Sequence, residues 1–153
     1  MARKIALLAV LSLVLVAGAQ ARPDAGAADP GVTSTSVVIG GTVPLSGVAA
    51  AYASVGRGAE AYFKYVNARG GVAGRKIDYR YLDDQYLPSN TVQQTRKLVQ
   101  EDNVFAIYNS LGTEQNLAVR PFLNQLKVPQ VFPATGATTF GKDRKQYLSL
   151  IHI

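Results

Sequence analysis

From Ser36 onward, short apolar runs alternate with segments of helical spacing, and this alternation constrains the fold more than any other feature. The first run, Ser36–Val43, is β-branched and apolar and stops before Pro44, which predicts a buried strand. The segment Ser54–Ala68 that follows predicts a helix, because its apolar residues recur on one face and two glycines, Gly70 and Gly71, follow its basic end. The predicted inward residues of this helix are Val55, Ala59, Tyr62, Phe63 and Val66.

The same alternation continues to residue 132. Three further strands are predicted, at Ile77–Leu82, Val104–Tyr108 and Val128–Phe132. Between them lie a helix opened by Pro88, with Ser89 or Asn90 as its N-cap, and a helix from about Glu114 to Leu126. The second helix should turn Val92, Thr95, Leu98 and Val99 inward, and the third Leu117, Ala118, Phe122 and Leu126. Pro121 is expected to kink or split the third helix.

This order of elements is βαβαβαβ, which predicts an α/β fold with a doubly wound parallel sheet. Right-handed crossovers between parallel strands place the helices on both faces of such a sheet. About 130 residues remain after an N-terminal export signal is subtracted, a size that suits one domain and one hydrophobic core.

The N-terminal segment has the pattern of a secretory signal peptide. Met1–Lys4 carries two positive charges, Ile5–Gly18 is almost purely apolar, and Ala19–Ala21 is a small-x-small cleavage site. The apolar run is shorter than the roughly 20 residues that span a bilayer, which argues against the alternative of a membrane anchor. We therefore predict a signal peptide over residues 1–21, a flexible leader over 22–35 and a periplasmic location.

The composition excludes several classes of chemistry. The chain has no cysteine and one histidine, His152, which argues against disulfides, thiolate metal sites and histidine-dependent triads. The net charge is +6, and without Arg3 and Lys4 of the signal 14 basic residues face 10 acidic ones. Because these charges are scattered rather than concentrated with aromatic residues, no nucleic-acid partner is expected.

Four segments follow predicted strand ends, where ligands bind in a doubly wound sheet. They are Pro44–Tyr52, Asp83–Tyr86, Asn109–Thr113 and Pro133–Thr139, and they are rich in small and hydroxyl residues. A carboxylate held by Thr113 and by amides near Gly136 would suit this geometry. The alternative is that these are ordinary turn and cap residues, and Tyr52 is either a cleft wall or a half-buried aromatic.

Asp83 and Asp84 are candidates for a catalytic carboxylate pair or a metal site, and the catalytic reading is the weaker one. Adjacent residues on a strand point to opposite faces and do not automatically converge, so a turn or capping role is favoured. The glycine-rich segment Gly70–Gly74 follows a helix rather than a strand. That context is wrong for a phosphate-binding loop and predicts a helix stop with a sharp turn.

Several segments, in order, resemble the periplasmic leucine/isoleucine/valine-binding protein family, the type I solute-binding proteins of ABC importers. The segments are Gly40–Gly47, Gly58–Phe63, Val66–Ile77, Leu82–Pro88 and Val128–Thr135. The resemblance runs from about Val37 to Asp143, and its most specific part is the Asn-Ala-x-Gly-Gly-Val-x-Gly-Arg stretch that begins at Asn67.

The resemblance implies a two-lobed, monomeric binding protein that closes on a small molecule and delivers it to an ABC permease, without cofactor, metal or catalysis. It assigns ligand contacts to Tyr52, Thr113, Ala134 and Gly136. Where relatives commonly have a threonine this chain has Gly136, which keeps the backbone donor but loses a hydroxyl. Thr135 or Thr138 would compensate. Similar proteins bind branched-chain amino acids, aromatic acids, amides and other solutes.

The resemblance covers only the first lobe, residues 36–147. Residues 148–153 do not resemble the family's continuation, so we interpret them as a non-native or truncated tail in which His152 has no functional role. Two other functions stay open at this point. One is the ligand-sensing domain of a receptor with the same fold, and the other is a secreted α/β hydrolase that uses Asp83 or Asp84.

Overall fold

The computed structural model describes residues 29–142 and 149–150. The predicted signal peptide and most of the predicted leader lie outside these residues. Nine elements follow one another: β1 (Ser36–Val43), α1 (Ser54–Ala68), β2 (Lys76–Asp83), α2 (Pro88–Gln100), β3 (Ala106–Tyr108), α3 (Thr113–Gln125), β4 (Gln130–Val131), α4 (Thr139–Lys142) and β5 (Ser149–Leu150). A short 3₁₀ turn, Ala50–Ala53, leads into α1.

In the described part of the chain the strands form one sheet in the order β2-β1-β3-β4-β5, and every pairing is parallel. The α/β fold with a doubly wound parallel sheet is therefore confirmed. Residues 149–150, which the sequence interpretation placed in the tail, pair with β4 as its parallel neighbour.

The strands β3 and β4 are shorter than predicted, and their neighbours explain why. The N–H of Val104 donates to the carbonyl of Leu98 at the end of α2 (3.1 Å) rather than to a neighbouring strand. Pro129 has no N–H to donate before β4, and Phe132 after it takes the left-handed conformation at φ 51°. The lost strand hydrogen bonds at Val104 and Pro129 and the turn at Phe132 leave two short strands in the middle of the sheet.

Helices cover both faces of the sheet, as the sequence predicts. On one face α2 and α3 enclose a hydrophobic cluster with Val38 of β1 and Leu82 of β2. Its buried members are Leu98, Val104, Ile107, Val119, Leu123 and Val128. On the other face Phe63 of α1 packs edge-on against Tyr79 and Tyr108, with ring centroids 5.3 Å apart in both pairs. Beside α1 this second face carries an open apolar groove of about 310 Å³.

The glycine-rich segment after α1 is a helix stop and turn, as predicted. Gly70 and Gly71 have φ values of 104° and 80°, and the N–H of Gly71 donates to the carbonyl of Val66 (3.1 Å). Asn67 then fixes the returning strand, because its side chain both accepts from the N–H of Ile77 (2.8 Å) and donates to its carbonyl (2.7 Å). The most specific motif in the sequence thus joins α1 to β2.

Of the predictions for α1 and α2, the buried stripe of α2 is confirmed, whereas the inward position of Tyr62 and the N-cap of α2 are wrong. Tyr62 is not inward; it is 62% exposed and stacks on Tyr65, because the buried stripe of α1 runs through Gly56 and Phe63. The α2 stripe is confirmed, with Thr91 added to its buried side. The N-cap of α2 is Leu87, and no side chain caps the helix, so the assignment to Ser89 or Asn90 is wrong.

The inward face of α3 was predicted only in part: Leu117 and Phe122 are half-buried, and Phe122 packs against the apolar core. Of the predicted set, Ala118 and Leu126 are exposed, while the fully buried residues are Gln115, Asn116, Val119, Arg120 and Leu123. The face is partly polar because its first turn packs on the loops at the strand ends and bonds to their backbone. Pro121 does not split the helix; it lies on the exposed side, where solvent can satisfy the carbonyl that it leaves unpaired.

Among the helices of the described residues, none combines the length and the apolar character that crossing a membrane requires.

Candidate functional site

A cleft of about 320 Å³ opens at the carboxyl ends of the strands. It lies between the loops that follow β1, β2, β3 and β4. Its lining residues are Ala49, Tyr52, Tyr86, Leu111, Gly112, Thr113, Ala134, Thr135 and Gly136. All five residues predicted as substrate contacts, Tyr52, Thr113, Ala134, Thr135 and Gly136, are among them.

The floor of the cleft is a continuation of the sheet beyond β3 and β4. Leu111 and Ala134 form a parallel bridge, in which the N–H of Gly112 donates to the carbonyl of Ala134 (3.1 Å). The N–H of Ala134 donates in turn to the carbonyl of Ser110 (2.9 Å). Ser110 is itself buried and accepts the N–H of Thr42 from β1 on its hydroxyl (2.9 Å). The loops after β3 and β4 are therefore held together by backbone hydrogen bonds.

A buried amide pair supports this floor from below. The side-chain amide of Asn116 donates to the carbonyls of Ser110 (2.8 Å) and Gly112 (2.6 Å). Its oxygen accepts from the side-chain amide of Gln130 on β4 (2.7 Å). Both side chains are at most 2% exposed, so the hydrogen bonds satisfy polar groups that have no access to water. Sequence reasoning missed both residues, because polar side chains were assumed to face outward and neither lies at a predicted strand end.

Two hydroxyls meet at the N-terminal end of α3. The Oγ1 atoms of Thr113 and Thr135 lie 2.7 Å apart, and the Thr135 hydroxyl also accepts the N–H of Ala137 (3.1 Å). Thr113 is the first residue of a 13-residue helix, where unpaired N–H groups and the helix dipole favour an anionic group. This corner of the cleft offers hydroxyl and backbone donors for a carboxylate.

Gly136 lies beside this corner and leaves it open. A Cβ added at Gly136 would have no neighbour within 4 Å. Thr135 lines the cleft, whereas Thr138 is not among the lining residues, so Thr135 is the better placed of the two threonines to supply a hydroxyl near Gly136.

Two tyrosines form the walls. Tyr52 stands in the 3₁₀ turn after β1, is 58% exposed and lines the cleft, so the alternative of a half-buried core aromatic is wrong. Tyr86 comes from the loop after β2 and, like Ala49, Leu111 and Gly112, lines the cleft without having been predicted as a contact. Its signal in the sequence is weak, because one aromatic residue after two aspartates does not reveal which way its ring points.

Asp83 and Asp84 shape the loops and do not line the cleft. The Asp83 carboxylate accepts from the N–H groups of Leu45 (2.8 Å), Ser46 (3.2 Å) and Gln85 (2.9 Å), and from the Ser46 hydroxyl (2.5 Å). Burial acts to raise the pKa of Asp83, but these hydrogen bonds outweigh it and hold the pKa below its usual value. The turn role predicted for this residue is confirmed.

Asp84 is fully buried and anchors the start of α2. Its carboxylate accepts from the N–H of Tyr86 (3.0 Å) and from the hydroxyl of Thr91 (2.8 Å). Burial raises the pKa of Asp84, and the two hydrogen bonds offset part of that rise. The described residues contain no group of three or more His, Cys, Asp or Glu side chains that could hold a metal ion.

Comparison with known families and structures bears on what such a cleft does. The sequence model of a family described as periplasmic binding protein matches residues 36–149. No curated protein sequence matches the chain.

Three solved structures illustrate the similarity. A possible leucine/isoleucine/valine-binding protein from Rhodopirellula baltica SH 1 is 28% identical with a TM-score of 0.66, over 78% of this chain and 31% of that one. A branched chain amino acid ABC transporter from Thermus thermophilus with bound valine is 27% identical with a TM-score of 0.60, over 68% and 27%. A solute binding protein of an ABC transporter from Rhodopseudomonas palustris BisB5, in complex with 3,4-dihydroxy benzoic acid, is 28% identical with a TM-score of 0.59, over 69% and 29%. The chain thus spans less than a third of the length of these structures.

Proposed function

Because this chain belongs to the periplasmic binding protein family, we propose that it is the first lobe of the substrate-binding component of an ABC importer. In this proposal it captures a small polar solute, a branched-chain or related amino acid, in the periplasm and presents it to a membrane permease. Relatives of similar identity include proteins with bound valine and with a bound dihydroxybenzoate, which is why the solute class is part of the proposal.

The observation that carries the proposal is the corner formed by Thr113 and Thr135. Their hydroxyl oxygens are 2.7 Å apart at the N-terminus of α3, inside the cleft at the carboxyl end of the sheet. A carboxylate bound there would accept from the hydroxyls and from backbone N–H groups, and it would lie at the positive end of the helix dipole.

The other predicted contacts complete the pocket around this corner. Gly136 leaves room for the ligand and offers its backbone N–H. Ala134 is held in register by its bridge to Leu111, so its backbone position is fixed. Tyr52 covers one side with an exposed aromatic ring, which suits the apolar part of an amino acid.

The mechanism we propose is capture, closure and handover, with no covalent bond broken. The cleft described here is an open surface of one lobe, and a second lobe closing over it would exclude water from the ligand. A single lobe makes only part of the contacts, so the isolated chain should bind solutes weakly. The predicted signal peptide over residues 1–21 supports export; N-terminal sequencing of protein purified from the periplasm would test cleavage after Ala21.

The proposal is tested by calorimetric titration of L-leucine into the full-length protein and its variants. We expect Tyr52→Ala and Thr113→Val each to weaken binding about tenfold or more, since each removes an aromatic wall or a donor to a charged group. Tyr65→Ala is the matched control, because Tyr65 is exposed to a similar degree (54% against 58%) but lies on α1 outside the cleft.

Unchanged affinity in both cleft variants would contradict the site. A wild-type protein that binds neither leucine nor any other amino acid would contradict the proposed solute class.

A further inference from the structure

The loop that brings Tyr86 to the cleft has an unusual backbone. Gln85 and Tyr86 are consecutive non-glycine residues in the left-handed region, with φ values of 56° and 62°. A bulky residue adopts this conformation at a cost of about 1–3 kcal/mol, and it persists only where the surrounding structure imposes it. A strained backbone at this position points to a functional role for the Tyr86 side chain that the loop places at the cleft.

Two buried side chains impose the conformation. The carboxylate of Asp84 accepts the N–H of Tyr86 (3.0 Å), and the side-chain amide of Gln115 donates to the Tyr86 carbonyl (2.8 Å). Asp84 and Gln115 are 0% and 2% exposed, so the side-chain partner in each contact is shielded from solvent. Because Gln115 belongs to the first turn of α3, this clamp fixes the loop after β2 to the helix that carries Thr113.

The clamp acts on the backbone of Tyr86, and the ring is left to line the cleft. The ring lies against Gly112: a Cβ added to that glycine would come within 2.9 Å of the Tyr86 Cε2 atom. Gly112 directly precedes Thr113, so the Tyr86 ring stands next to the hydroxyl corner where the polar end of a solute would bind. About a third of Tyr86 stays accessible, on the cleft side.

We propose that Tyr86 is a specificity-determining residue, whose fixed ring limits the size of the apolar group that the cleft accepts beside the carboxylate site. This inference rests on the proposed solute-binding function and extends it to a residue outside the set predicted from sequence. Because the backbone that carries the ring is clamped and Gly112 lies directly behind it, a larger solute would have to displace the ring at a cost.

A purely structural role for Tyr86 predicts that removing the ring lowers stability without changing which solute the cleft prefers. The hydrogen bonds that hold the loop involve the main chain of Tyr86, and Tyr86→Ala keeps both of them while it removes only the ring. The substitution should therefore leave the fold in place and change the shape of the cleft.

The test is the ratio of dissociation constants for L-phenylalanine and L-leucine, measured by calorimetry on the full-length protein. We expect wild type to prefer leucine, and Tyr86→Ala to shift the ratio toward phenylalanine by about tenfold or more, the range over which pocket size discriminates between apolar groups. Tyr86→Phe keeps the ring and should leave the ratio unchanged. Tyr65→Ala, an exposed tyrosine outside the cleft, should leave it unchanged as well.

The possible outcomes distinguish a failure of this inference from a failure of the proposed function. A wild-type protein that binds leucine, with a ratio that Tyr86→Ala does not shift, overturns this inference and leaves the proposed function standing. Equal weakening for both solutes in Tyr86→Ala also overturns it, because the ring would then contribute affinity without discrimination. A wild-type protein that binds neither leucine nor phenylalanine overturns this inference, and one that binds no amino acid overturns the proposed solute class as well.

Discussion

Replacing Gly112 by alanine should damage the cleft more than any other single methyl group added to its lining. Gly112 precedes α3 with φ 107° and ψ 144°, a region that essentially only glycine occupies. An added Cβ would also lie 2.0 Å from the Oε1 atom of Gln115 and 2.9 Å from the Tyr86 ring. The backbone conformation and the packing therefore both oppose a side chain at this position.

The size of the effect follows from three contributions. The backbone conformation costs alanine about 1–3 kcal/mol. Displacing buried neighbours costs about 1–3 kcal/mol more in a well-packed site. Moving the Gln115 side chain away breaks its hydrogen bond to the Tyr86 carbonyl, which contributes about 1 kcal/mol. We expect Gly112→Ala to lower the free energy of unfolding by about 3–7 kcal/mol, a fall of roughly 12–28 °C in Tm for a domain of this size.

Thermal and urea unfolding followed by far-UV circular dichroism measure this change. Gly136→Ala is the matched control, because Gly136 lines the same cleft, has no φ in the left-handed range and would meet no atom within 4 Å. It should be neutral or stabilising by up to about 1 kcal/mol. A Gly112→Ala protein within about 0.5 kcal/mol of wild type would refute the reasoning, as would equal losses at both glycines.

Three further predictions concern stability alone. Gly58→Ala should stabilise α1 by about 1 kcal/mol, because nothing lies near its added Cβ. Gly56→Ala should lose that gain, because its Cβ would meet the Tyr81 ring at 2.9 Å. Urea unfolding of the two variants side by side measures both effects. Asp83→Asn should cost about 1 kcal/mol at neutral pH. Because the pKa of Asp83 is lowered, its contribution to the free energy of unfolding is present above the ordinary carboxyl pKa and is lost as the pH falls through the lowered value. The unfolding free energy of the variant should therefore fall less steeply than that of wild type as the pH drops into the acid range. An equally steep fall in both proteins would contradict this. The free energy of unfolding of Asp84→Asn, relative to wild type, should be higher at pH 7 than below pH 4. The raised pKa of Asp84 means that ionising it as the pH rises destabilises the wild-type fold, and asparagine does not ionise. The opposite trend in unfolding free energy would contradict this.

The sheet could be predicted because its signals are local and repeated. The strand Ser36–Val43 and the helix Ser54–Ala68 occur at the predicted bounds, since Pro44 and Gly70 mark their ends with backbone constraints that hold in any context. The assignment of Tyr62 failed because its spacing fits the apolar stripe, while the space under that part of α1 is already filled by Phe63 and Tyr79. Periodicity gives a direction for each side chain but not the room available there.

The cleft was predictable in its location and only partly in its residues. Strand ends place Thr113 and Thr135 at the same edge, but their 2.7 Å approach depends on the bridge between Leu111 and Ala134, which joins segments far apart in sequence. Gln115 was missed because helical patterning ranks apolar residues inward, and a buried amide is recognisable only once its backbone partner is known.

The Asn116–Gln130 amide pair has a consequence for the thermodynamics of binding. By joining β4, α3 and the loop at Ser110, it fixes the cleft floor when the protein folds, before any solute arrives. The conformational entropy of ordering these loops is then lost once, during folding, and a solute that binds does not incur it again. A solute should accordingly meet a preorganised floor, and the entropy change on binding should reflect the walls and the solute itself rather than the sheet edge beneath them.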